Sequence, residues 1–104
     1  MKTRFTYKGR DCIVETSRYV DNDRLAIMLY DYETHEMIAK STVNVPEEEL
    51  NKDEVVIKNY SENEGMLVAL RNAGIVEGVV REIRLGFVTT PVCKLNSKFI
   101  KEKM

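Results

Sequence analysis

Tyrosine, carboxylate and carboxamide side chains crowd one short run, Asn59-Tyr60-Ser61-Glu62-Asn63-Glu64-Gly65. Carboxylates beside Tyr and Asn are groups that bind sugars or pass protons as general acid and base. The same run has a plainer use. Ser61 and Glu64 stand at capping-box spacing, in which a hydroxyl and a carboxylate three residues apart satisfy free amides at a helix start. Glu62 adds favourable charge to that first turn. Most of the acidity is therefore explained by a helix, leaving Asn59, Tyr60, Glu62 and Asn63 as an outward candidate surface. The acidic run Glu47-Glu48-Glu49 is expected to stand beside it as a solvated loop or single helical turn.

Other chemistries find less material. One histidine, His35, and two cysteines, Cys12 and Cys93, form no ligand cluster at a recognised spacing, so no metal site is expected. Neither cysteine has a histidine nearby in sequence to act as a base. Glycines 9, 65, 74, 78 and 86 match neither the phosphate loop nor the dinucleotide fingerprint, and the sequence implies no cofactor. No EF-hand spacing is present. Arg81, Arg84, Lys94, Lys98, Lys101 and Lys103 form a modest basic set, short of the surplus that phosphate backbones demand. Arg81 shares its alternation with Ile83 and Leu85, which predicts a half-buried arginine paired to an acid.

The elements that must hold these residues read as follows. Phe5 and Tyr7 alternate with polar neighbours, Lys8-Gly9-Arg10-Asp11 turns, and 12–16 return as a second strand. Asp21-Asn22-Asp23 is a turn. The run from Leu25 to Tyr30 is apolar on both faces, a central strand with a helix over one face and the terminal segment, a partner subunit or a ligand over the other. After the polar turn at 33–36, residues 37–45 alternate as a half-buried strand that Pro46 ends. Residues 55–57 form a short strand. A helix over about 61–74 carries Met66, Leu67, Leu70 and Ala73 as its stripe and stops at Gly74-Ile75. Gly65, near its start, suggests close approach of another backbone or a partner. Residues 79–88 alternate as the longest strand, with a bulge at Gly86, and Pro91 marks an edge or break before 92–95. Residues 96–104 are basic and polar apart from Phe99 and Ile100, a frayed tail. The expected fold is α+β: a meandering, mostly antiparallel sheet of five to six strands with one helix packed across one face. The expected organisation is a single domain over 1–95 followed by the tail 96–104.

A chain of 104 residues is one domain by the usual prior. Its 43% hydrophobic and 32% charged content suits a folded core and excludes a disordered tail. Net charge is -1, so no global field draws nucleic acid or anionic lipid. Acids dominate from Glu36 to Glu64 and bases from Arg71 onward, which predicts an electrostatically polar molecule. No apolar run approaches the roughly 20 residues that cross a bilayer, and the charged start has no apolar core behind it. A cytoplasmic setting with two buried thiols is expected.

Several stretches together resemble a family of short bacterial proteins catalogued as a domain of unknown function. They are Thr42-Val43-Asn44-Val45-Pro46, the run from Val56 to Gly65, Ala73-Gly74-Ile75, and Gly86-Phe87-Val88 leading to Pro91-Val92-Cys93-Lys94-Leu95. Members of that family are encoded by phages, plasmids and conjugative elements of gut bacteria. The resemblance covers about 5–95 and implies an accessory protein of a mobile genetic element, with no catalytic residues to carry over. Three readings follow. The first is a non-enzymatic protein-interaction module, its surface on Asn59, Tyr60, Glu62 and Asn63 with Glu47, Glu48 and Glu49 beside it. Its protein partner is unidentified, and inhibition of a host defence or nucleic-acid-processing protein is one form. The second is a small-ligand-binding domain or small enzyme using Tyr60, Glu62 and Glu64 in a pocket. The third is a homo-oligomer that covers 25–30 and Phe99-Ile100 with a symmetry mate.

Overall fold

The computed structural model describes residues 4–103. Strand β1 (Arg4–Tyr7) and strand β2 (Arg10–Arg18) are joined by Lys8 and Gly9 at φ 51° and 77°. A two-residue turn with both φ positive twists the way its flanking strands do. After the Asp21-Asn22-Asp23 turn comes β3 (Leu25–Asp31), and after a second turn β4 (Met37–Lys40). In that second turn Asp31 Oδ1 accepts the amides of Glu33 and Thr34 at 2.9 and 3.0 Å. The four strands pair in sequence order as an antiparallel meander.

The expectation of one sheet of five to six strands is corrected. Strands β5 (Glu54–Val56), β6 (Val76–Leu85) and β7 (Val88–Leu95) make a separate three-stranded sheet in the order β5-β7-β6. The cause lies just after β4, in a strand expected to run on to Val45. Ser41 donates its amide and its hydroxyl to the Ile27 carbonyl, each at 2.9 Å. Thr42 Oγ1 accepts the Ile27 amide at 3.2 Å. Side-chain oxygens thus take over the ladder positions beside β3, as Ser and Thr do when they compete with backbone pairing. The backbone is freed to turn away. Thr42 bridges Ile57, the Val43 amide donates to the Val56 carbonyl (3.0 Å), and the Lys58 amide to the Ser41 carbonyl (2.8 Å). That joint links the two sheets.

The helix is also shorter than expected. Residues Ser61–Asn63 form a 3₁₀ turn, and the α-helix α1 runs from Met66 to Asn72. Ser61 sits at φ 55° and makes no side-chain cap, so the capping box is not formed. Gly65 enters α1 at φ 88°. A Cβ there would meet nothing within 4 Å, so its glycine answers a left-handed backbone and not close approach. The stop is as expected: the amides of Gly74 and Ile75 bond the carbonyls of Arg71 and Leu70 at 3.0 and 2.9 Å, the paired bonds of a Schellman motif. α1 lies against both outer strands, β1 and β6.

Two further expectations change at the C-terminal side. Gly86 is no bulge; with Phe87 it is the two-residue turn between β6 and β7, closed by the Leu85–Val88 pair. The terminal segment, expected to fray, is the helix α2 (Ser97–Lys103), and Phe99 is buried in the main core. A nonpolar ring among polar neighbours was enough to dock it. Pro91, expected to mark an edge or break, lies within the central strand β7, paired with Glu82. Its carbonyl accepts the Ile57 amide at 3.0 Å, and the Thr90 hydroxyl donates to the Ile57 carbonyl that proline, lacking an N–H, cannot serve.

The main core gathers Val14, Leu25, Ile27, Leu29, Ile57, Met66, Leu70, Ile75, Leu95 and Phe99. A smaller cluster of Val45, Val56 and Val92, with Ile83 and Leu85 against it, supports the far end of the β6–β7 hairpin. Leu25, Ala26 and Ile27 are all buried within the chain, so the two-faced strand is covered at that end without a symmetry mate.

Candidate functional site

The strand–helix junction is more architectural than its composition suggests. Asn59 Oδ1 accepts the Leu67 amide at 2.8 Å, so the side chain that caps α1 is Asn59 and not Ser61. Asn63, expected to face outward, is 2% exposed and donates Nδ2 to the Lys40 carbonyl at 2.7 Å. It ties the junction to the end of β4. Tyr60 is half-buried, with the Lys58 ammonium 5.8 Å from its ring centre. Glu62 is exposed but engaged: its carboxylate takes Lys58 Nζ and its carbonyl takes Lys8 Nζ at 2.6 Å. The hydrogen bond from Lys58 is the main reason that carboxyl is held below the usual carboxylate range. Of the four candidates, Tyr60 and Glu62 offer surface, and the two lysines offset its negative charge.

The Glu47-Glu48-Glu49 run belongs to a different cluster. Glu48 accepts Arg81 at 3.0 and 3.3 Å, and the Glu49 carbonyl accepts the same guanidinium at 2.5 Å. Arg24 donates to the Val45 and Glu48 carbonyls at 2.7 and 2.5 Å. Two arginines, one just before β3 and one from β6, therefore pin the loop that precedes β5. Glu54 completes the set. Its carboxylate is buried, accepting the Asn51 amide at 2.9 Å and Arg81 Nη1 at 3.5 Å. Arg81 is half-buried and acid-paired, as its alternation predicted. Glu47 and Glu49 keep exposed side chains.

Nucleophilic and metal chemistry gain nothing from the fold. Both cysteines are free and buried. Burial pushes the Cys93 thiol up to about 11 and raises Cys12 as well, the reverse of what an attacking thiolate needs. His35 stands in an exposed turn, 6.5 Å from the Tyr30 ring. Among the described residues no group of three His, Cys, Asp or Glu could hold a metal ion, and no helix is long and apolar enough to cross a membrane.

Two surface features escaped the sequence reading. One is a hollow of about 490 Å³ between the β2–β3 turn and the loop before β5, lined by Arg18, Asn22, Asp23, Arg24, Lys52 and Glu54 among others. Its residues come from two distant stretches, and nothing in their local spacing announces it. The other is the β6–β7 hairpin. Phe87 at its tip is 102% exposed, and Val79 and Val80 on the outer strand are 45% and 50% exposed. The alternation over 79–88 predicts Phe87 as one more residue of a strand; the Leu85-Gly86-Phe87-Val88 run carries the turn signal.

No family model, curated protein or solved structure matches this chain.

Proposed function

We propose that the chain is a non-enzymatic protein-interaction module whose contact surface is the outer side of the β6–β7 hairpin. The observation that carries this reading is Phe87, a full aromatic ring in solvent on a two-residue turn that two long strands hold in place. An aromatic anchor on a rigid support gives large contact area at small ordering cost, the profile of an interface hot spot. Val79 and Val80 are further exposed apolar side chains on the outer strand β6, whose outer edge no other strand among the described residues pairs. The junction at Asn59–Asn63 serves this module as scaffold. The accessory role in a mobile genetic element is the part of this proposal that rests on the sequence resemblance alone, with a host defence or nucleic-acid-processing protein as the class of partner.

The test compares three immobilised proteins of verified folding in bacterial lysate: wild type, Phe87→Ser, and the Tyr60→Ala/Glu62→Ala double variant. Retention of a protein by wild type and the junction variant, with loss from Phe87→Ser, supports the hairpin. Loss from the junction variant alone moves the surface to Tyr60 and Glu62. Equal recovery by all three overturns both placements.

A further inference from the structure

The hollow between the β2–β3 turn and the loop before β5 has the charge of a binding site that the interaction reading does not use. One lip carries Arg18, Asn22, Asp23 and Arg24; the other carries Leu50, Asn51, Lys52 and Glu54. It continues into a second hollow of about 670 Å³ that shares Arg24, Leu50, Asn51 and Glu54 and ends at Arg81. A volume of about 490 Å³ for the first part falls in the range of small-molecule sites.

The balance of charge inside it decides the ligand class. Glu54 is already committed to Arg81 and Asn51. Arg24 is half-buried, and its guanidinium is held by the carbonyls of Val45 and Glu48. Those carbonyls engage one donor on each of its Nη atoms but bring no net negative charge. Arg18 likewise donates to a carbonyl, that of Asp23, at 3.1 Å. Lys52 is exposed and makes no hydrogen bond or ion pair with a described residue. In the first hollow three bases therefore face one uncommitted acid, Asp23. In its continuation Glu48 is paired to Arg81 and Glu49 keeps an exposed carboxylate unpaired among the described residues, so the positive excess is confined to the first part. Local excess of this kind in a concave, partly desolvated place attracts a counter-anion more strongly than scattered surface lysines do.

We propose that this hollow binds a small anion, a carboxylate or phosphate group on a short organic body. Arg18 and Lys52 grip the anionic head from the two lips, Arg24 supplies fixed charge between them, and Leu25 and Leu50 give the body an apolar wall. Asp23 on the rim limits the site to ligands of low charge, since a polyanion would meet it.

The test is a titration followed by amide NMR at constant ionic strength, with inorganic phosphate, acetate and glycerol phosphate as probes and chloride as control. The expected result is saturable shifts confined to the amides of 18, 22–25 and 50–54, half complete below about 10 mM for at least one probe. An Arg18→Gln/Lys52→Gln variant, altered at two exposed positions, should fold normally and bind that probe at least about tenfold more weakly. Phosphate or acetate acting alone names the head group. Non-saturating shifts, equal shifts with chloride, or unchanged binding by the variant would overturn the proposal, and none of these outcomes bears on the hairpin surface.

Discussion

Replacing Thr42 with valine removes one oxygen from the joint between the two sheets and leaves the side-chain shape almost unchanged. The Thr42 side chain is 3% exposed; its Oγ1 accepts the Ile27 amide at 3.2 Å and meets the Tyr19 hydroxyl at 3.0 Å. Ile27 directs both backbone polar groups toward this side, since its carbonyl receives Ser41. After the change its amide is buried without a partner, which costs about 1–3 kcal/mol. The added methyl returns up to about 1 kcal/mol. The Tyr19 hydroxyl also loses its partner, so the net expectation is a loss of about 1–2 kcal/mol, with a fall in Tm of roughly 4–8 °C for each kcal/mol. Thr42→Ser keeps the oxygen and should lose about 1 kcal/mol at most from the missing methyl. Urea melts give the size of each loss, and native-state hydrogen exchange gives its place. The Ile27 amide should exchange faster in the valine variant and at the wild-type rate, corrected for stability, in the serine variant. A valine variant within about 0.5 kcal/mol of wild type, with Ile27 still protected, would refute the claim that this hydroxyl diverts the chain.

Asn63→Ala should destabilise by about 1–3 kcal/mol in a thermal melt, because it strands the Lys40 carbonyl that Nδ2 now reaches at 2.7 Å; a surface contact residue would leave the melt unmoved. Gly65→Ala should lose about 1–2 kcal/mol in urea despite the open space around it, since an L side chain resists φ 88°. Burial raises the Cys93 thiol to about 11, above roughly 8.5 in an open chain. A raised folded pKa gives stability that is complete below the open-chain value and is lost as pH rises through the folded one. Denaturant midpoints should therefore fall between about pH 8.5 and 11, and Cys93→Ala should flatten that window.

The elements with local causes were legible. Lys8-Gly9, Asp21-Asn22-Asp23 and the Gly74 stop each carry their geometry in two or three residues, and the structure keeps them. The failures share a different cause. Ser41 and Thr42 looked like ordinary members of an alternating strand, and only contact with Ile27, 14 and 15 positions away, turned them into the end of one sheet. Ser61 and Glu64 had the right spacing for a cap, yet Asn59 does the capping because Gly65 places the helix start later. Phe99 anchored a segment whose average composition said tail. In each case a single tertiary contact overrode a correct local rule.

The same contacts limit which polar residues are free to meet a partner. No buried side-chain nitrogen or oxygen among the described residues lacks a hydrogen-bond partner. Asn59, Asn63, Thr42, Thr90, Arg81 and Glu54 each spend their polar groups on partners within the fold, and a polar residue in that position argues for architecture. On the proposed function, recognition draws on groups the architecture leaves over. Phe87 is such a group on the apolar side, and Lys52 on the charged side. Neither was conspicuous in sequence, because what marks them is the absence of a folded-state use, and that becomes visible only after every other side chain has been placed.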